Sequence, residues 1–450
     1  MSFPRFLLSA FLASSLHAAE PTFEWVAAGG GLKNDKTRAV AVDATGHVFW
    51  AGETTDAGTF GDHQRESLGG SDFFLAKTSP EGKTLWVRSL GGSLIDRGYG
   101  VVTDAAGNAY VTGHYQSTDA QALGQTLPNA GDYDLFVAKY SPAGDLLWVR
   151  TAGGAGYDYG HGIALDPRGD LVVTGAIAGE GKFGDQVVNA GQASRAIFWA
   201  KYDAEGSLVW VKTTSGKFSG SGHGIGTDAA GNLYIGGSGA GKGSAGSVTL
   251  ETSTGQAAVV IKTSPAGEPL WASLIPGAPS AGFHEITVDA AGAVTGVGMF
   301  KGSVKLGAQS FETSNEKDND GFVVHFSPEG KPLWHHVIQG PGVDYCLGVA
   351  TGASGQVYVT GEFSATATFA GQTLMSLGGT DIYTAAFDAA GRLEWLLPNG
   401  GPKGDNAYTL FWQPGYLILG GGCAGPTAFG KKSMTSPAAA EAYAAKLKLP

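Results

Sequence analysis

A unit of about 62 residues recurs seven times along this 450-residue chain, and this repeat constrains the fold more than any other feature. The gaps between the seven repeated tryptophans are 61, 62, 62, 61, 63 and 61 residues. These tryptophans are Trp25, Trp86, Trp148, Trp210, Trp271, Trp334 and Trp395. Turn sequences of the form Asp-x-x-Gly and Ser-Pro-x-Gly return with the same period. This spacing predicts one array of similar supersecondary units rather than two or three unrelated domains.

Each unit contains four apolar segments of strand length, which turn sequences separate. In the second unit the segments are 99–103, 109–112, 135–140 and 146–150. Asp or Ser caps such a turn locally, Pro presets φ, and Gly takes the left-handed conformation, which fits a chain with 73 glycines. The pattern predicts an all-β fold, a single seven-bladed β-propeller of four-stranded antiparallel blades over residues 20–450.

The two ends of the chain predict how this ring closes. The segment Phe23–Val26 has the pattern of a fourth strand with its tryptophan. The segment Ala442–Lys446 has the pattern of a third strand, and no fourth strand follows it. We therefore expect the N-terminal strand to complete the last blade as its outermost member, which removes two open sheet edges.

The repeated text resembles the SBBP repeat, a β-propeller repeat found mainly in exported bacterial proteins. The resemblance is most specific in Val101–Gly113 and Asp134–Tyr140, and it extends over essentially all of residues 20–450. It implies the propeller fold, and it implies no shared reaction or catalytic residue. The fourth unit departs from the pattern, with Ala257 in place of the Asp and Gly236–Gly237 in place of Thr-Gly.

Residues 1–19 predict a secretory signal peptide. Arg5 precedes the short apolar run Phe6–Ala13, and small residues follow, so that cleavage fits after Ala18 or after Ala19. This run is too short to span a membrane, and no later segment approaches the roughly 18 apolar residues of a membrane helix. We expect an exported, soluble protein in the periplasm or outside the cell.

The net charge limits the classes of partner that the protein can bind, and the two cysteines bear on its compartment. The net charge is −11 and the sequence has no basic cluster, which argues against nucleic acid as a partner. We expect a monomer that binds a protein or a carbohydrate. Cys346 and Cys423 suit an oxidising compartment, but the sequence leaves open whether they form a disulfide.

Binding residues are expected on the face with the glycine-rich connectors and the long loops, because loops on a rigid scaffold often carry function. On that face, one side chain at the start of each first strand should line a channel mouth, five residues before the turn Asp. The candidates are Arg38, Tyr99, His161, His223, His284 and, in the seventh unit, Ala407 or Tyr408, while the sixth unit offers Leu347. Carboxylates three residues earlier should form its rim, namely Asp35, Asp96, Asp158 and Asp344.

The three histidines allow two interpretations. His161, His223 and His284 could converge on a divalent transition metal with an open position for water. Alternatively, each histidine hydrogen-bonds the neighbouring blade, and we favour this interpretation because duplication copies structural residues into every unit. No Gly-x-Ser-x-Gly, His-Glu-x-x-His or Walker sequence is present, so we assign no catalytic residue and predict no cofactor.

The leading hypothesis is therefore a non-catalytic binding or scaffold propeller, which engages its protein or glycan partner with the long-loop face and the channel mouth. The alternative is a metal-assisted hydrolase or lyase that acts on a polysaccharide through the three histidines. A quinone-dependent dehydrogenase is a weaker alternative, because eight blades and an adjacent cysteine pair would be expected there.

Other repeated residues have predicted structural roles. The tryptophans should pack between outer strands, where such large side chains usually belong to the core. Lysines alternate with apolar residues in the third strands and should extend to solvent, namely Lys77, Lys139, Lys201 and Lys262. Aspartates at the start of these strands should cap loops, namely Asp72, Asp134, Asp320 and Asp381.

Overall fold

The computed structural model describes residues 20–315, 318–436 and 439–450. The predicted signal peptide, residues 1–19, lies outside the described residues. The described residues form β-strands joined by turns and contain no helix. Accordingly, no helix within these ranges is long and apolar enough to cross a membrane. The all-β class predicted from the repeat is confirmed.

The first strands in chain order are β1 (Thr22–Gly30), β2 (Lys36–Val42), β3 (Val48–Thr54), β4 (Gly58–Phe60), β5 (His63–Arg65), β6 (Asp72–Thr78), β7 (Thr84–Leu90), β8 (Asp96–Thr103), β9 (Ala109–Tyr115), β10 (Gln121–Ala122), β11 (Gln125–Thr126), β12 (Asp134–Tyr140) and β13 (Leu146–Gly153). They are followed by β14 (Tyr159–Leu165), β15 (Leu171–Ile177), β16 (Glu180–Phe183), β17 (Gln186–Asn189), β18 (Ala196–Tyr202), β19 (Leu208–Gly216), β20 (Ser219–Thr227), β21 (Leu233–Ala240), β22 (Lys242–Ala245), β23 (Val248–Glu251), β24 (Ala257–Thr263) and β25 (Pro269–Val288). The remaining strands are β26 (Val294–Leu306), β27 (Gln309–Glu312), β28 (Asp320–Phe326), β29 (Pro332–Gln339), β30 (Tyr345–Thr351), β31 (Val357–Phe369), β32 (Gln372–Phe387), β33 (Leu393–Asn399), β34 (Asp405–Gln413), β35 (Tyr416–Cys423), β36 (Pro426–Phe429), β37 (Lys432–Thr435) and β38 (Glu441–Lys448).

These strands pair into seven antiparallel units of four. In order from first to fourth strand the units are β2-β3-β6-β7, β8-β9-β12-β13, β14-β15-β18-β19, β20-β21-β24-β25, β25-β26-β28-β29, β30-β31-β32-β33 and β34-β35-β38-β1. Strand β25 serves two units, because its first half pairs with β24 and its second half with β26. In the seventh unit the fourth strand is the N-terminal β1, with Trp25 opposite Lys446 and Val26 opposite Ala445.

The long segments between second and third strands fold back as hairpins rather than as open loops. The hairpin of the first unit, β4-β5, pairs with the end of β1 through Phe60 and Gly29. In the third unit β16-β17 pairs in the same way with β13, and in the fourth unit β22-β23 pairs with β19. Each of these hairpins therefore extends the outer edge of the preceding unit, which covers an exposed strand edge.

Consecutive units share hydrophobic clusters. One cluster joins the first and second units, with Phe73 and Phe136 both fully buried. Comparable clusters lie between each following pair of units. Another cluster joins the seventh unit to the first, where Ile418 packs with Trp50 and Phe74. The first strands of neighbouring units also contact one another, including β34 with β2.

The repeated tryptophans connect one unit to the next. Trp25 donates its indole N–H to the Pro80 carbonyl at 2.9 Å, and Trp86 donates to the Pro142 carbonyl at 3.2 Å. The six rings Trp25 to Trp334 lie against the turn glycine of the following unit, where a β-carbon would come within 2.6–3.0 Å of the indole. Gly82, which Trp25 covers, also has a φ of +93°, so both space and conformation require glycine there. These contacts account for the repetition of both residues.

The prediction that the third-strand lysines extend to solvent is wrong. Lys77 and Lys201 are only 5% and 6% exposed. Lys201 Nζ lies 2.6 Å from Asp166 Oδ2 in the turn of its own unit, and Lys77 Nζ donates to the Pro142 carbonyl of the next unit. The ammonium groups replace lost hydration with turn carboxylates and carbonyls, which is how a charged side chain becomes tolerable in an interior.

The third-strand aspartates cap loops as predicted. Asp134 accepts the backbone N–H of Ala130 at 2.6 Å, and Asp72 accepts that of Leu68 at 2.9 Å. The two cysteines, Cys346 and Cys423, are buried and free. The Tyr383 hydroxyl donates to the Cys346 sulfur at 2.9 Å, and burial raises the pKa of this thiol to about 12.

Candidate functional site

Every first strand carries a β-bulge at the same repeat position. The strand register skips one residue there in all seven units, and the skipped residues are Arg38, Tyr99, His161, His223, His284, Leu347 and Tyr408. A bulge leaves one residue unpaired and re-aims its side chain. These are the positions that the sequence predicted for the channel mouth, and the bulge selects Tyr408 over Ala407 in the seventh unit.

Six of the bulge residues surround one central cavity of about 90 Å³. Its lining includes Arg38, Tyr99, His161, His223, His284 and Tyr408, with the backbone that follows each of them. The seventh residue, Leu347, is almost fully buried and does not line this cavity. The structure thus brings together the six candidates, which come from strands roughly 60 residues apart.

The six side chains contact one another, and His284 meets His161 edge-on with ring centroids 6.0 Å apart. Tyr99 stacks on His161 with ring centroids 4.6 Å apart, and His161 stacks on His223 at 4.9 Å. The Arg38 guanidinium lies between Tyr99 and Tyr408, 5.2 Å from each ring centroid. Stacking of this kind holds each group by its neighbours, so the cavity wall is a connected aromatic and cationic layer.

Each histidine is fixed by a carbonyl of the next unit. The Nδ1 atoms of His161, His223 and His284 lie 2.9 to 3.0 Å from the carbonyl oxygens of His223, Phe283 and Leu347. Because a carbonyl only accepts, each Nδ1 carries the proton and Nε2 is left as an acceptor. Burial lowers the pKa of all three, that of His284 to about 4, so the imidazoles are neutral at neutral pH.

This geometry corresponds to the interpretation in which each histidine bonds the neighbouring blade. No set of three His, Cys, Asp or Glu side chains in residues 20–315, 318–436 and 439–450 is arranged to hold a metal ion. The three histidines point their protonated nitrogens at backbone rather than at a common centre.

Arg38 is oriented by a carboxylate behind the cavity wall. Its Nε and Nη2 atoms donate to the two oxygens of Glu53 at 2.8 and 2.7 Å. Arg97 Nε lies 3.6 Å from the same carboxylate. Burial alone would raise the pKa of Glu53, but the nearby guanidinium of Arg38 lowers it overall, so the carboxylate stays ionised.

Asp96 is the first residue of β8 and the other three predicted rim aspartates directly precede a first strand; none of the four lines the central cavity, so they form no rim there. All are fully buried, namely Asp35, Asp96, Asp158 and Asp344. They accept backbone N–H groups instead. Asp158, for example, accepts those of Gly154 and Ala178, both at 2.6 Å, and Asp35 accepts those of Gly31 and Thr55. A carboxylate that clamps a glycine-rich connector in this way supports the neighbouring first strand.

Glu285 is a cavity residue that the repeat analysis did not single out. It follows the bulge residue His284, where four other units have glycine. It lines both the central cavity and a second opening of about 480 Å³. Its Oε2 accepts the Val349 backbone N–H at 3.2 Å. Burial raises the pKa of its carboxyl from 4.5 to about 8. The departure from glycine was the signal that could have identified it.

Replacing Glu285 by Gln should reduce the pH dependence of stability between about pH 4.5 and about pH 8. The folded protein keeps a proton on Glu285 that the unfolded chain releases, so this group costs about 1.4 kcal/mol of stability per pH unit across that window. The stabilising contribution of the protonated carboxyl is fully present below the unfolded-state pKa of 4.5 and is lost as the pH rises through the folded-state pKa of about 8. Urea unfolding at about pH 5 and about pH 8.5 should show that the free energy of unfolding of Glu285→Gln increases relative to that of wild type as the pH increases.

The exposed turn residue Glu205 provides the control for this comparison. Glu205→Gln removes the same charge and should follow the wild-type pH profile. A stability difference between Glu285→Gln and wild type that stays constant with pH would contradict the assignment of a protonated Glu285.

A larger cleft of about 650 Å³ opens beside the central cavity, on the side of the hairpins and connectors. We call it the tyrosine cleft, and it is lined by Tyr99, His114, Tyr157, Tyr159, His161, Ala178, Ser194, Arg195 and His223. Its lining comes from the second, third and fourth units. Tyr157, Tyr159, His114 and Arg195 were not predicted, because they belong to connectors and strand ends that do not follow the repeat.

Aromatic rings dominate this cleft. The ring centroid of Tyr157 lies 4.3 Å from that of Tyr133 and 5.4 Å from that of Tyr159. The Arg195 guanidinium carbon lies 5.6 Å from the Tyr157 ring centroid. His114 is 1% exposed, and burial lowers its pKa to about 3. Neither of its ring nitrogens has a hydrogen-bond partner among the described residues. A buried imidazole without partners beside an open cleft is a group that a ligand could satisfy.

Seven four-stranded units with tryptophan contacts between them define a repeat protein of the β-propeller type. Residues 85–114 match the family model described as SBBP, beta-propeller repeat. An uncharacterized WD repeat-containing protein of Acanthamoeba polyphaga mimivirus is 25% identical over 432 residues, which cover 76% of this chain and 30% of that protein. The match thus spans less than a third of that relative's length.

Solved structures also show similarity. A protein of unknown function from Bacteroides caccae has a TM-score of 0.36 at 9% identity, over 72% of this chain and 89% of that one. A gluconolactonase from Xanthomonas campestris has a TM-score of 0.26 at 11% identity, over 71% of this chain and 82% of that one. Similarities at these scores carry no argument about the site of this chain.

Proposed function

We propose that the seven units are the blades of a single ring closed by β1, and that the protein is an exported, monomeric glycan-binding propeller without catalytic activity. Ring closure is supported by the pairing of β1 with β38 and by the hydrophobic cluster between the seventh and first units. Export is supported by the sequence of residues 1–19. The ligand site in this proposal is the tyrosine cleft at the channel mouth.

The arrangement of three tyrosines around an open cleft is the observation that carries this proposal. The ring of Tyr157 offers an apolar face for the C–H side of a sugar ring, and the hydroxyls of the three tyrosines can bond sugar hydroxyls. The unpartnered nitrogens of His114 would gain partners from a ligand that both donates and accepts, as a sugar hydroxyl does. The volume of about 650 Å³ falls in the usual range of ligand sites.

The chemistry of the lining favours binding over turnover. Glycoside hydrolysis generally uses two carboxyl groups that flank the scissile bond, and the residues that line this cleft include neither Asp nor Glu. The polysaccharide hydrolase or lyase alternative is tested by incubating the protein with the glycans it binds and measuring new reducing ends or unsaturated products.

Tyr157→Ala should weaken glycan binding at least about tenfold, which corresponds to about 1.4 kcal/mol. Tyr157→Phe should keep most of the affinity, because it retains the ring face that stacks on the sugar. The measurement is a glycan array with residues 20–450, followed by calorimetric titration with the oligosaccharides that bind.

The matched control is Tyr345→Ala. Tyr345 occupies in the sixth unit the repeat position that Tyr159 occupies in the third, two residues before the bulge, and it does not line the cleft. This variant should bind like wild type. Absence of binding to every glycan on the array, or equal losses in Tyr157→Ala and Tyr345→Ala, would contradict the proposed function.

A further inference from the structure

Arg195 differs from Arg38, Arg65 and Arg97 in having no carboxylate partner within the described residues. Arg38 and Arg97 both lie beside Glu53, and Arg65 pairs with Asp72 at 2.5 Å. Arg195 forms no ion pair within the described residues, and its guanidinium is held over the Tyr157 ring. It is partly exposed and lines the tyrosine cleft directly before β18. A positioned cation without a counter-ion is available to a ligand.

The tyrosine cleft has no acidic group in its lining, although the protein as a whole is acidic. The chain has a net charge of −11, yet the lining of the cleft contains no Asp or Glu. The lining histidines are neutral because burial lowers the pKa of His114, His161 and His223. Arg195 is therefore the one charge among the residues that line the cleft, and it favours an anion there.

We propose that the glycan bound in the tyrosine cleft carries a carboxylate, as a uronic acid residue does, and that Arg195 binds this carboxylate. This inference rests on the proposed glycan-binding function and names the class of glycan. The planar guanidinium matches a carboxylate with two parallel hydrogen bonds. The adjacent ring of Tyr157 would then stack on the same sugar residue, so that one sugar residue contacts both the guanidinium and the aromatic ring.

Short oligosaccharides of galacturonate, glucuronate and mannuronate, each paired with its neutral methyl ester, test this inference by calorimetric titration. Wild-type protein should bind at least one acidic oligosaccharide about tenfold or more tightly than its ester. Arg195→Gln should reduce the affinity for that acid to the level of the ester and leave the ester unchanged. The preference of wild type should also diminish with added salt, because exposed charges are screened.

Arg168→Gln is the matched control, because Arg168 is an exposed arginine of the same unit in the turn at the other end of β14. It should bind both forms like wild type. The inference is overturned if acid and ester bind equally, if Arg195→Gln keeps the preference, or if only sulfated or neutral glycans bind. In those cases Tyr157→Ala still weakens binding and the proposed function stands, whereas the absence of any glycan binding overturns both.

Discussion

A chain that begins at Leu32 should fail to give a stable monomer, whereas a chain that begins at Glu20 should fold. The truncation removes β1, whose residues pair with β38 and whose Phe23 and Trp25 are buried. Without β1 the third strand of the seventh unit becomes an open edge, and the hydrophobic cluster between the seventh and first units loses part of its content. Exposed edges promote association with other chains.

Size-exclusion chromatography and thermal unfolding followed by circular dichroism measure this effect. The chain from Glu20 should elute as a monomer and unfold in one cooperative transition, and the chain from Leu32 should aggregate or unfold broadly at much lower temperature. If the shorter chain is monomeric and unfolds at the same temperature as the longer one, β1 does not close a ring and the seven-bladed proposal is wrong.

Trp50→Ala should lower the free energy of unfolding by about 3–5 kcal/mol, the range for replacing a large buried aromatic side chain. Trp50 is fully buried in the cluster between the seventh and first units. Its ring centroid lies 5.3 Å from that of Phe60 and 5.5 Å from that of Phe74. Its indole N–H donates to the Thr78 hydroxyl at 2.9 Å, so the substitution removes a buried hydrogen bond together with the packing.

Trp395→Ala is the matched control for Trp50→Ala. Unlike the six preceding repeated tryptophans, Trp395 does not cover a turn glycine, and it lines an open cleft of about 690 Å³. Trp395→Ala should therefore lower the free energy of unfolding clearly less than Trp50→Ala does, as measured by urea unfolding curves recorded by circular dichroism. Equal losses for the two variants would show that burial between the units is not what makes Trp50 important.

Much of this fold was predictable because the same turn and strand patterns occur in several units of the repeat. One turn of the form Asp-x-x-Gly is weak support for a hairpin, but its recurrence every 62 residues or so fixes the strands on either side. Comparing one repeat position across units also identified Arg38, Tyr99, His161, His223 and His284 as a set before any distance was known. The predicted loop caps, such as Asp134, rested on the same comparison and are confirmed.

Several residues were misjudged or missed, for different physical reasons. The alternation around Lys77 is that of an exposed side chain, yet the neighbouring unit covers it and supplies the Pro142 carbonyl. Asp158 was placed on a rim because its spacing fits one, and the structure turns it into its own connector. Glu285 was overlooked because the search followed what the units share rather than where one unit departs.

The sequence by itself determined the all-β class, the seven units, the strand limits within a few residues and the repeat position that lines the central cavity. These features depend on alternation and turn chemistry within about 60 residues. The tertiary structure decided that the bulge turns this position toward the central cavity in six of the seven first strands. It also decided that Tyr157, Tyr159 and Arg195 of the third unit meet side chains of the second and fourth units around one cleft. Such contacts join residues that do not share a repeat position, so no periodicity along the chain encodes them.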